Sequence, residues 1–489
     1  MKKRIILKII FIILFIFFLI SCGGGGTSSK QEEVSVIPVT IDPQTSQGII
    51  KISSISTKNA IFVITAHSYT LPNPTYSLTA EIMPSAKEGF ISYPFLSKTK
   101  ESFDMDFHTI LRLKEIEFAI KYGSPLNYPL PKIKKKVHQQ GEFVNFWVED
   151  NYGRNTQITA ELKVIGEHCY IYLDTGNDTL DLPIDVIETI KNEFDNNSYP
   201  TAHNYFGTEW NPGIDNDNRI TILISALVPA YGYFYARDEF PNTIPGFGYS
   251  NMREMIYLND GIWVEDDINE AKATLIHEFQ HMINFYYKTI LYSTFEEIWL
   301  NEGLSVYAEQ LAGYGMLNGS KWGTNMVLYY LEAPQDFSIS YWNPKEYGMS
   351  YLHVLYIAEH FGDNAIKSLV QSDLNGIENV EAATNISFDN YYNNWTLANY
   401  LDGMVKNQEY NYYSIDLRGT YAGISLSGIV PAEEFSDNNY NFTTQRSLNP
   451  WGVEYLEFVS DQNGKDLSLN ITANQGAKLN GYLIIINNP

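Results

Sequence analysis

The clearest periodic stretch of the chain lies between residues 268 and 287. Apolar side chains recur there at the spacing of an α-helix with one face against a core: Ile268, Ala271, Leu275, Phe279, Met282, Ile283 and Tyr286. A second helix is predicted next, because Ser293 and Thr294 are each followed three residues later by a glutamate, the capping-box pattern. Residues 346–361 predict a third helix that ends at Gly362, and 365–400 continue the helical pattern.

Both ends of the chain have a different pattern, in which β-branched and aromatic runs alternate with Pro, Asn, Gly and Ser turns. In the first part these runs are 49–55, 60–65, 143–148, 157–164 and 170–173. We therefore predict an all-β N-terminal domain over 34–178. Similar runs from residue 417 onwards predict a C-terminal β-sandwich-like domain over 411–489. The predicted fold class is multidomain α+β, with a mixed domain over 179–410 between two β-rich domains.

The N-terminus has the layout of an export signal. Four basic residues precede twelve uninterrupted apolar residues over 9–20, a run too short to span a bilayer. Cys22 follows Leu-Ile-Ser, which is similar to a bacterial lipoprotein cleavage box. We predict a signal peptide over 1–21, lipidation of Cys22 and a flexible tether over 22–33. The expected location is the bacterial cell envelope, with membrane contact through the lipid only; an ordinary secretory signal is the alternative.

The net charge argues against nucleic-acid binding, and the position of Cys169 argues against a catalytic cysteine. The net charge is −24, and the leader carries four of the positive groups and no negative ones, so the chain without it carries −28. Such a chain does not attract nucleic acid or an anionic membrane through its net field, and no nucleic-acid partner is predicted. The chain has two cysteines. Cys169 lies in an apolar run and is predicted to be a buried strand residue rather than a nucleophile.

Candidate chemistry lies on the first predicted helix, where His277, Glu278 and His281 form a His-Glu-x-x-His motif. Histidines four residues apart project from the same side of a helix, so both can bind one Zn²⁺, with Glu278 beside the first. Glu302 follows His281 by 21 residues, enough chain for a turn and an antiparallel return. A carboxylate there completes a His₂Glu set and leaves the fourth zinc position open, as catalytic zinc requires.

The sequences HEFQH (277–281) and WLNEGLSVYAE (299–309) resemble those of the gluzincin metallopeptidases. The run from 232 to 309 is most similar to the hyicolysin family of secreted bacterial metalloproteases. The resemblance implies a gluzincin catalytic domain with a sheet-containing upper part and a helical lower part. It also implies one catalytic zinc and assigns the zinc ligands and the general base as follows: His277, His281 and Glu302 as ligands, and Glu278 as base.

Two other roles are less well defined by the resemblance. Thermolysin-like relatives have an Asp four residues after the glutamate ligand that orients a zinc histidine, but this chain has Val306 there. Glu309, on roughly the same helix face, is one candidate for that role. Gluzincins commonly place a Tyr or His where it hydrogen-bonds the developing oxyanion. Tyr347 is the predicted residue, with Tyr351 and His353 close by in sequence.

Other polar positions receive structural interpretations. Asp215 and Asp217 alternate with asparagines as in calcium loops, but Arg219 follows at the next alternate position and no bidentate Glu comes after it. A tight turn made by the Asp and Asn side chains is therefore preferred over a Ca²⁺ site. The remaining upstream histidines lack partner spacing and are interpreted as surface or core residues: His67, His108, His138 and His168.

Residues 254–259 predict a strand immediately before the zinc helix. In gluzincin folds the strand in this place lies at the edge of the sheet beside the cleft. Such an edge has unpaired backbone groups, so an extended peptide substrate could add to it as a further strand.

Together these features predict a surface-anchored zinc metalloendopeptidase acting on protein or peptide substrates. Two alternatives remain. An aminopeptidase N-like exopeptidase shares the WLNEG-type segment, but its Gly-x-Met-Glu-Asn motif is absent, since residues 251–255 read Asn-Met-Arg-Glu-Met. The other alternative is a non-catalytic surface-binding lipoprotein with a structural zinc, against which the complete set of base and ligands argues.

Overall fold

The computed structural model describes residues 33–39, 41, 47–52, 58–67, 74–83, 91–92, 106–130, 138–150, 152–261, 268–436, 442–459, 466–474 and 477–487. The predicted signal peptide, the lipidation site Cys22 and the tether up to residue 32 lie outside the described residues. Within the described part, no helix combines the length and the apolar character needed to cross a membrane.

The first half of the chain contains mostly strands, and the helices follow. The order is β1 (Glu33–Val39), β2 (Gln47–Ile52), β3 (Lys58–Ala66), β4 (Thr75–Met83), β5 (Ile91–Ser92), α1 (Phe107–Tyr122), β6 (Phe143–Glu149), β7 (Asn155–Ile165), β8 (Cys169–Asp174), α2 (Ile184–Glu193), α3 (Tyr199–Tyr205), β9 (Ile220–Ile224), β10 (Gly232–Phe234), β11 (Met255–Leu258), α4 (Ile268–Phe285), α5 (Ile298–Leu311), α6 (Lys321–Glu332), α7 (Tyr347–Phe361), α8 (Asp363–Gln371), α9 (Gly376–Thr384) and α10 (Phe388–Leu401).

Strands return after α10. They are β12 (Thr420–Tyr421), β13 (Ile424–Ser425), β14 (Glu433–Phe435), β15 (Phe442–Ser447), β16 (Val453–Phe458), β17 (Asp466–Ala473) and β18 (Leu479–Asn487). The predicted helices at 346–361 and 365–400 correspond to α7 and to the group α8, α9 and α10. The strands predicted in the C-terminal part are also present as β16, β17 and β18.

A six-stranded mixed sheet, in the order β10-β11-β9-β8-β7-β6, supports the predicted site. Strands β8, β9 and β11 run parallel, and β10 is antiparallel at one edge. The side chains of each strand alternate between two buried faces. One face, including Ile222 and Ile256, packs against α4 through Leu275 and Phe279. The other face packs against Leu111 of α1, with Tyr172, Leu223 and Tyr257 among its buried side chains.

Close backbone packing positions the second predicted helix. Gly303 of α5 faces α7, and a Cβ at that position would lie 2.5 Å from the carbonyl oxygen of Ser350. Gly348 of α7 faces α6 in the same way, with 2.1 Å to the carbonyl oxygen of Met326. Since real Cβ atoms do not approach that closely, glycine at these two positions allows α5, α6 and α7 to pack side by side. This packing fixes where residue 302 lies.

The two ends of the chain together form a β-sandwich. One sheet has the order β1-β18-β3-β16-β14 and the other β2-β17-β4-β15-β5. Between them lies an apolar core that includes Phe62, Leu78 and Leu469. The outer face of the first sheet packs on the helical part, where the hydroxyl of Tyr455 donates to the carbonyl oxygen of Thr396 at 2.7 Å.

The predicted division into separate β-rich domains over 34–178 and 411–489 is therefore wrong. Strands β1 to β5 pair with C-terminal strands, whereas β6, β7 and β8 belong to the mixed sheet that carries β9 to β11. Strand propensity is a local property, but the partner of a strand depends on which apolar faces match across the whole chain. The sequence pattern therefore identified strands without identifying their partners.

Two further expectations are corrected by the structure. The N-terminal region is not all-β, because α1 lies within it, with the carboxylate of Asp106 accepting the N–H of Thr109 at 2.7 Å as a helix cap. The strand predicted over 254–259 is present as β11, but it lies between β10 and β9 rather than at the edge. The edge position belongs to β10, which is only three residues long.

Candidate metal centre

His277 and His281 project from one side of α4 towards α5. Their ring centroids are 4.8 Å apart. From α5, one carboxylate oxygen of Glu302 lies 3.2 Å from Nε2 of His277 and 3.4 Å from Nε2 of His281. All three side chains are buried. Among the described residues they are the group of His, Cys, Asp or Glu whose ligand atoms all lie within 4.8 Å of one another.

These separations fit a tetrahedral metal. Bonds of about 2.0–2.2 Å in tetrahedral geometry place neighbouring ligand atoms about 3.3–3.6 Å apart. The distances from Glu302 to the two imidazole nitrogens agree with that spacing. The donor set of two imidazoles and one carboxylate is also one that zinc accepts in catalytic sites. The residues therefore fit the metal that the sequence predicts.

Hydrogen bonds on the far side of each ring orient both histidines. Nδ1 of His277 lies 2.7 Å from Oε1 of Glu309, and Nδ1 of His281 lies 2.9 Å from Oδ1 of Asn301. Both partners accept, so each Nδ1 carries a hydrogen and each Nε2 presents its lone pair to the site. Glu309 is the partner that the sequence proposed as a candidate, whereas the role of Asn301 was missed although it lies next to Glu302.

The charge balance of the site shows how strongly it favours a cation. Burial alone lowers the pKa of His277, but hydrogen bonds to Glu302 and Glu309 outweigh burial and raise that pKa to about 10. Burial raises the pKa of Glu302, yet the two histidines lower it well below its usual range. Burial, together with the positive charge of Arg112, lowers the pKa of His281. Three ligand groups that converge on one point in this way require a proton or a metal ion between them.

The proposed base Glu278 follows His277 on α4, and the edge strand β10 holds its carboxylate. It is buried, with a relative exposure of 2%. The backbone N–H of Phe234 in β10 donates to Oε2 of Glu278 at 2.8 Å. Its other oxygen, Oε1, lies 3.9 Å from Nδ1 of His108. The carboxylate is thus fixed at one oxygen and has a single histidine near the other.

Helix α1 supplies residues that the sequence interpretation had left outside the site. His108, near its start, was interpreted as a surface or core histidine but lies beside Glu278. Arg112 donates to the carbonyl oxygen of Phe234 at 3.2 Å and pairs with Glu115 at 3.1 Å. Burial raises the pKa of Glu115 to about 7, although Arg112 opposes the shift. Asp106 as a cap and Gly123 as a stop were the sequence signals that could have revealed this helix.

The backbone of the edge strand β10 is therefore partly engaged in hydrogen bonds within the protein. Phe234 has its N–H bonded to Glu278 and its carbonyl oxygen bonded to Arg112. At this residue the backbone is not available to an added peptide strand, which limits the strand-addition mode expected from the sequence.

Tyr347 lies at the start of α7, next to the metal centre. Its ring centroid is 6.4 Å from that of His277, and Trp322 and Trp342 pack on it edge-on. Burial raises the pKa of Tyr347 well above its ordinary value, and the nearby charge of Glu302 adds to the shift. The hydroxyl is therefore protonated at neutral pH and able to donate a hydrogen bond.

The alternative aromatic residues on α7 are part of the core. Nδ1 of His353 lies 2.9 Å from the hydroxyl oxygen of Tyr391, and its ring stacks on Trp395 with centroids 3.6 Å apart. Tyr351 is buried in the same cluster. Cys169 is also fully buried, and burial raises the pKa of its thiol well above the ordinary value. The predicted structural role of Cys169 agrees with this environment.

The loop at 215–219 has the hydrogen bonds of the predicted turn. Asp215 accepts the N–H of Asp217 at 2.9 Å, and Asp217 accepts the N–H of Arg219 at 3.3 Å. The second oxygen of Asp217 accepts the hydroxyl of Tyr170 at 2.9 Å. The Asp217 carboxylate is therefore used within the loop and by the sheet next to it.

Comparison with known proteins gives one sequence relative of known class. The chain is 25% identical over 285 residues to the neutral metalloprotease ShpI of Staphylococcus hyicus. This chain is therefore related to a metalloprotease. The match covers 51% of this chain and 53% of ShpI, so it spans about half the length of that relative. A metalloprotease relative implies a bound metal, and His277, His281 and Glu302 are the candidate ligands. No family model matches the chain.

Two solved structures are also similar to the chain. One is described as a functionally unknown conserved protein from Bacillus anthracis str. Ames, and the other is a mutant protein with the same description. The first is 11% identical, covers 74% of this chain and 78% of its own, and has a TM-score of 0.24. The second is 10% identical, covers 83% of both chains, and has a TM-score of 0.28.

Proposed function

We propose that this protein is a zinc-dependent metalloendopeptidase that hydrolyses peptide bonds in protein or peptide substrates. The observation that carries the proposal is the convergence of His277, His281 and Glu302, with Glu278 next to His277 on the same helix. The relationship to a neutral metalloprotease supports the same reaction class. When bound, zinc supplies Lewis acidity to the substrate carbonyl and brings the pKa of the attacking water towards neutrality.

The residues of the chain account for the proton transfers. Glu278 accepts the proton of the attacking water and then donates it to the nitrogen of the leaving amine. Because the N–H of Phe234 holds Oε2, the carboxylate keeps one orientation through both transfers. The protonated hydroxyl of Tyr347 supplies a hydrogen bond to the substrate oxygen on which negative charge develops. Glu309 and Asn301 keep the two imidazoles oriented throughout.

The decisive experiment separates catalysis from metal binding. Glu278→Gln is expected to retain zinc and lose cleavage of an N-terminally blocked casein substrate, while Glu302→Ala loses zinc. Zinc content and cleavage are measured on the same samples, with and without a chelator. Wild-type cleavage by Glu278→Gln would overturn the role of the base. Full zinc occupancy in Glu302→Ala would overturn its role as a ligand.

The same assay distinguishes the other two functions considered. An aminopeptidase would release the chromophore of an aminoacyl anilide and leave the blocked substrate intact. A binding protein with a structural zinc would cleave neither substrate and would still contain the metal. Cleavage of the blocked substrate alone supports the endopeptidase assignment.

We also propose that the protein is anchored in the cell envelope through lipid on Cys22. The support is the sequence of the leader and the cysteine that follows it. Cys22→Ser is expected to move the protein from the membrane fraction to the soluble fraction of the bacterium that makes it. Retention of this variant in the membrane fraction would reject lipidation as the anchor.

A further inference from the structure

The orientations of the base and of one metal ligand depend on two elements outside α4. Glu278 and His281 both lie on α4, so the helix fixes their backbones while their side chains can still rotate. The N–H of Phe234 in β10 orients the Glu278 carboxylate, at 2.8 Å. Oδ1 of Asn301 in α5 orients the His281 ring, at 2.9 Å. The two side chains therefore keep their relative orientation only while β10 and α5 keep theirs.

Two buried side chains on α1 connect those two elements. They are Arg112 and Glu115, each with a relative exposure of 3%. Nη2 of Arg112 donates to the carbonyl oxygen of Phe234 at 3.2 Å, and Nδ2 of Asn301 donates to Oε1 of Glu115 in a long hydrogen bond of 3.5 Å. Between them, Nη1 of Arg112 lies 3.1 Å from Oε2 of Glu115. A continuous path of contacts therefore runs from the base through β10, α1 and α5 to the metal ligand.

The ion pair in the middle of this path is held by charge. Neither Nη1 of Arg112 nor Oε2 of Glu115 makes a hydrogen bond with any described residue. Because a buried charge without its counter-charge is strongly unfavourable, each of the two groups depends on the other. Loss of the guanidinium would therefore change how the Glu115 carboxylate is held.

The Glu115 carboxylate also determines which way the Asn301 amide faces. A carboxylate only accepts hydrogen bonds, so it faces the amide NH₂ group and leaves the amide oxygen towards His281. That oxygen accepts the hydrogen on Nδ1 of His281, and Nε2 presents its lone pair to the site. With the amide reversed, Nδ1 would meet a donor, and this tautomer would lose its support.

We propose that Arg112 and Glu115 form a bridge that orients Glu278 and His281 together, which makes Arg112 a positioning residue for the reaction. The inference rests on the proposed function, because it names a residue that serves that reaction through other side chains. Groups that are already oriented need no rearrangement when the reaction occurs. The bridge should therefore affect kcat more than KM.

The test replaces Arg112 by Met, which has no charge, and by Lys, which keeps the charge on a compact ammonium group. Arg112→Met should reduce kcat for the blocked substrate by about tenfold or more and change KM by less than about threefold. Arg112→Lys should lie between this variant and the parent, because one ammonium group cannot keep both contacts of the guanidinium. Each protein is also loaded with Co²⁺ in place of zinc, since the visible absorption bands of cobalt report the arrangement of its ligands. The bands of Arg112→Met should differ from those of the parent.

Lys288→Met is the matched control, because Lys288 is a buried cation with the same two kinds of contact. It has a relative exposure of 0%, donates to the carbonyl oxygen of Leu374 at 2.6 Å and pairs with Glu296 at 3.1 Å. This variant should lose stability, as Arg112→Met does, and keep the kcat and the cobalt bands of the parent. All measurements are made below the unfolding transition of each variant.

A double variant tests whether the two α1 residues act through one path. Once Arg112→Met has broken the bridge, adding Glu115→Gln should reduce kcat little further, so the two losses should not multiply. A loss equal to the product of the two single losses would overturn the bridge.

Parent-like kcat and cobalt bands in Arg112→Met would overturn the proposal. A lowered kcat with unchanged cobalt bands would also overturn it, because Arg112 would then act on the base alone. If Arg112→Met does not fold, Arg112→Lys takes its place, and parent-like values in that variant overturn the bridge. If the parent itself does not cleave the substrate, the proposed function fails, and the cobalt bands of parent and variant still decide whether Arg112 orients the site.

Discussion

At the scale of single residues, the sequence motifs predicted three metal ligands, and the structure brings these three side chains together: His277, His281 and Glu302. The spacing of His277 and His281 is a helix property, so it could be inferred without a structure. Asn301 and His108 were missed because their roles depend on how α1, α4 and α5 pack. Phe234 was missed as well, because it holds Glu278 through its backbone N–H, a role that its residue type does not indicate.

The hydrogen bond from His277 to Glu309 gives the first prediction. Glu309→Gln should lower zinc affinity by about 10–100-fold, because the carboxylate no longer fixes the ring and raises its basicity. Competition with a chromophoric chelator measures the change. Gln310→Ala is the control, since Gln310 bonds to Asn318 instead of the site. Equal zinc affinity of Glu309→Gln and the parent would contradict the prediction.

His108 gives the second prediction. His108→Ala should reduce kcat for the blocked substrate by about tenfold or more and leave zinc content unchanged, because the ring stands beside the base without contacting the ligands. His168→Ala serves as the control, since that ring stacks on Tyr199 with centroids 3.9 Å apart. The measurement is steady-state kinetics together with metal analysis. A kcat equal to that of the parent would show that α1 only covers the site.

At the scale of elements, helices were easier to predict than their boundaries. The second zinc helix was expected to begin after the capping-box pattern at Ser293 and Thr294. It begins instead at Ile298, with Glu297 at the N-cap, and Ser293 has a positive φ of 55°. Helix α1 was missed because its surroundings have strand-like composition. Edge position in a sheet could not be predicted, since it depends on β10, a strand too short to give a pattern.

The contact between α5 and α7 gives a prediction at this scale. Gly303→Ala should lower both Tm and zinc affinity, because the added Cβ would meet the Ser350 backbone at 2.5 Å, push α5 away from α7 and so shift Glu302 relative to the histidines of α4. Gly248→Ala is the matched control, as no atom lies within 4 Å of a Cβ there. Thermal unfolding and chelator competition measure the two effects. If Gly303→Ala matches Gly248→Ala in both, the helix contact does not set the ligand position.

The end of α10 gives a pH-dependent prediction. Asp402 accepts the N–H of Tyr412 and the N–H of Leu417, both at 2.8 Å, and burial raises its pKa from 3.8 to about 6. The folded chain therefore retains this proton at a pH where the unfolded chain has lost it, so its contribution to the free energy of unfolding decreases as pH rises from about 4 to about 6. Asp402→Asn should remove this component of the pH dependence.

Urea unfolding of the parent and of Asp402→Asn across that pH range measures the effect. The exposed residue Asp178 provides the control variant Asp178→Asn, which should follow the parent. A constant difference in unfolding free energy between the parent and Asp402→Asn from pH 4 to pH 6 would contradict the assignment.

At the scale of the whole molecule, the sequence indicated β-rich ends and a helical centre with a zinc motif. It did not indicate that the two ends form one sandwich. Strands β3 and β18, for example, pair over Lys58–Ala66 and Leu479–Asn487. No local pattern connects segments that are this far apart in the chain, so their pairing could not be predicted from one sequence.

The shared sandwich gives the last prediction. Deleting residues 433–489 alone should produce an aggregating chain, because β1 to β4 lose their partners and leave open apolar strand edges. Deleting residues 33–92 together with 433–489 should aggregate less, since no half-sandwich remains. Size-exclusion chromatography of both truncated chains measures the difference. A monomeric, folded product from the single deletion would contradict the shared sandwich.

The pairing of early strands (β1 to β5) with late strands (β14 to β18) also determines the order in which parts of the protein can fold. Strand β18 lies between β1 and β3, and β17 lies between β2 and β4. As the ribosome makes the chain from its N-terminus, the early strands emerge long before the neighbours they need. The helices around the metal centre are synthesised between these two groups of strands and can pack against one another first. The sandwich is therefore completed only after β17 and β18 have been made, and a chain released before them lacks the closing strands.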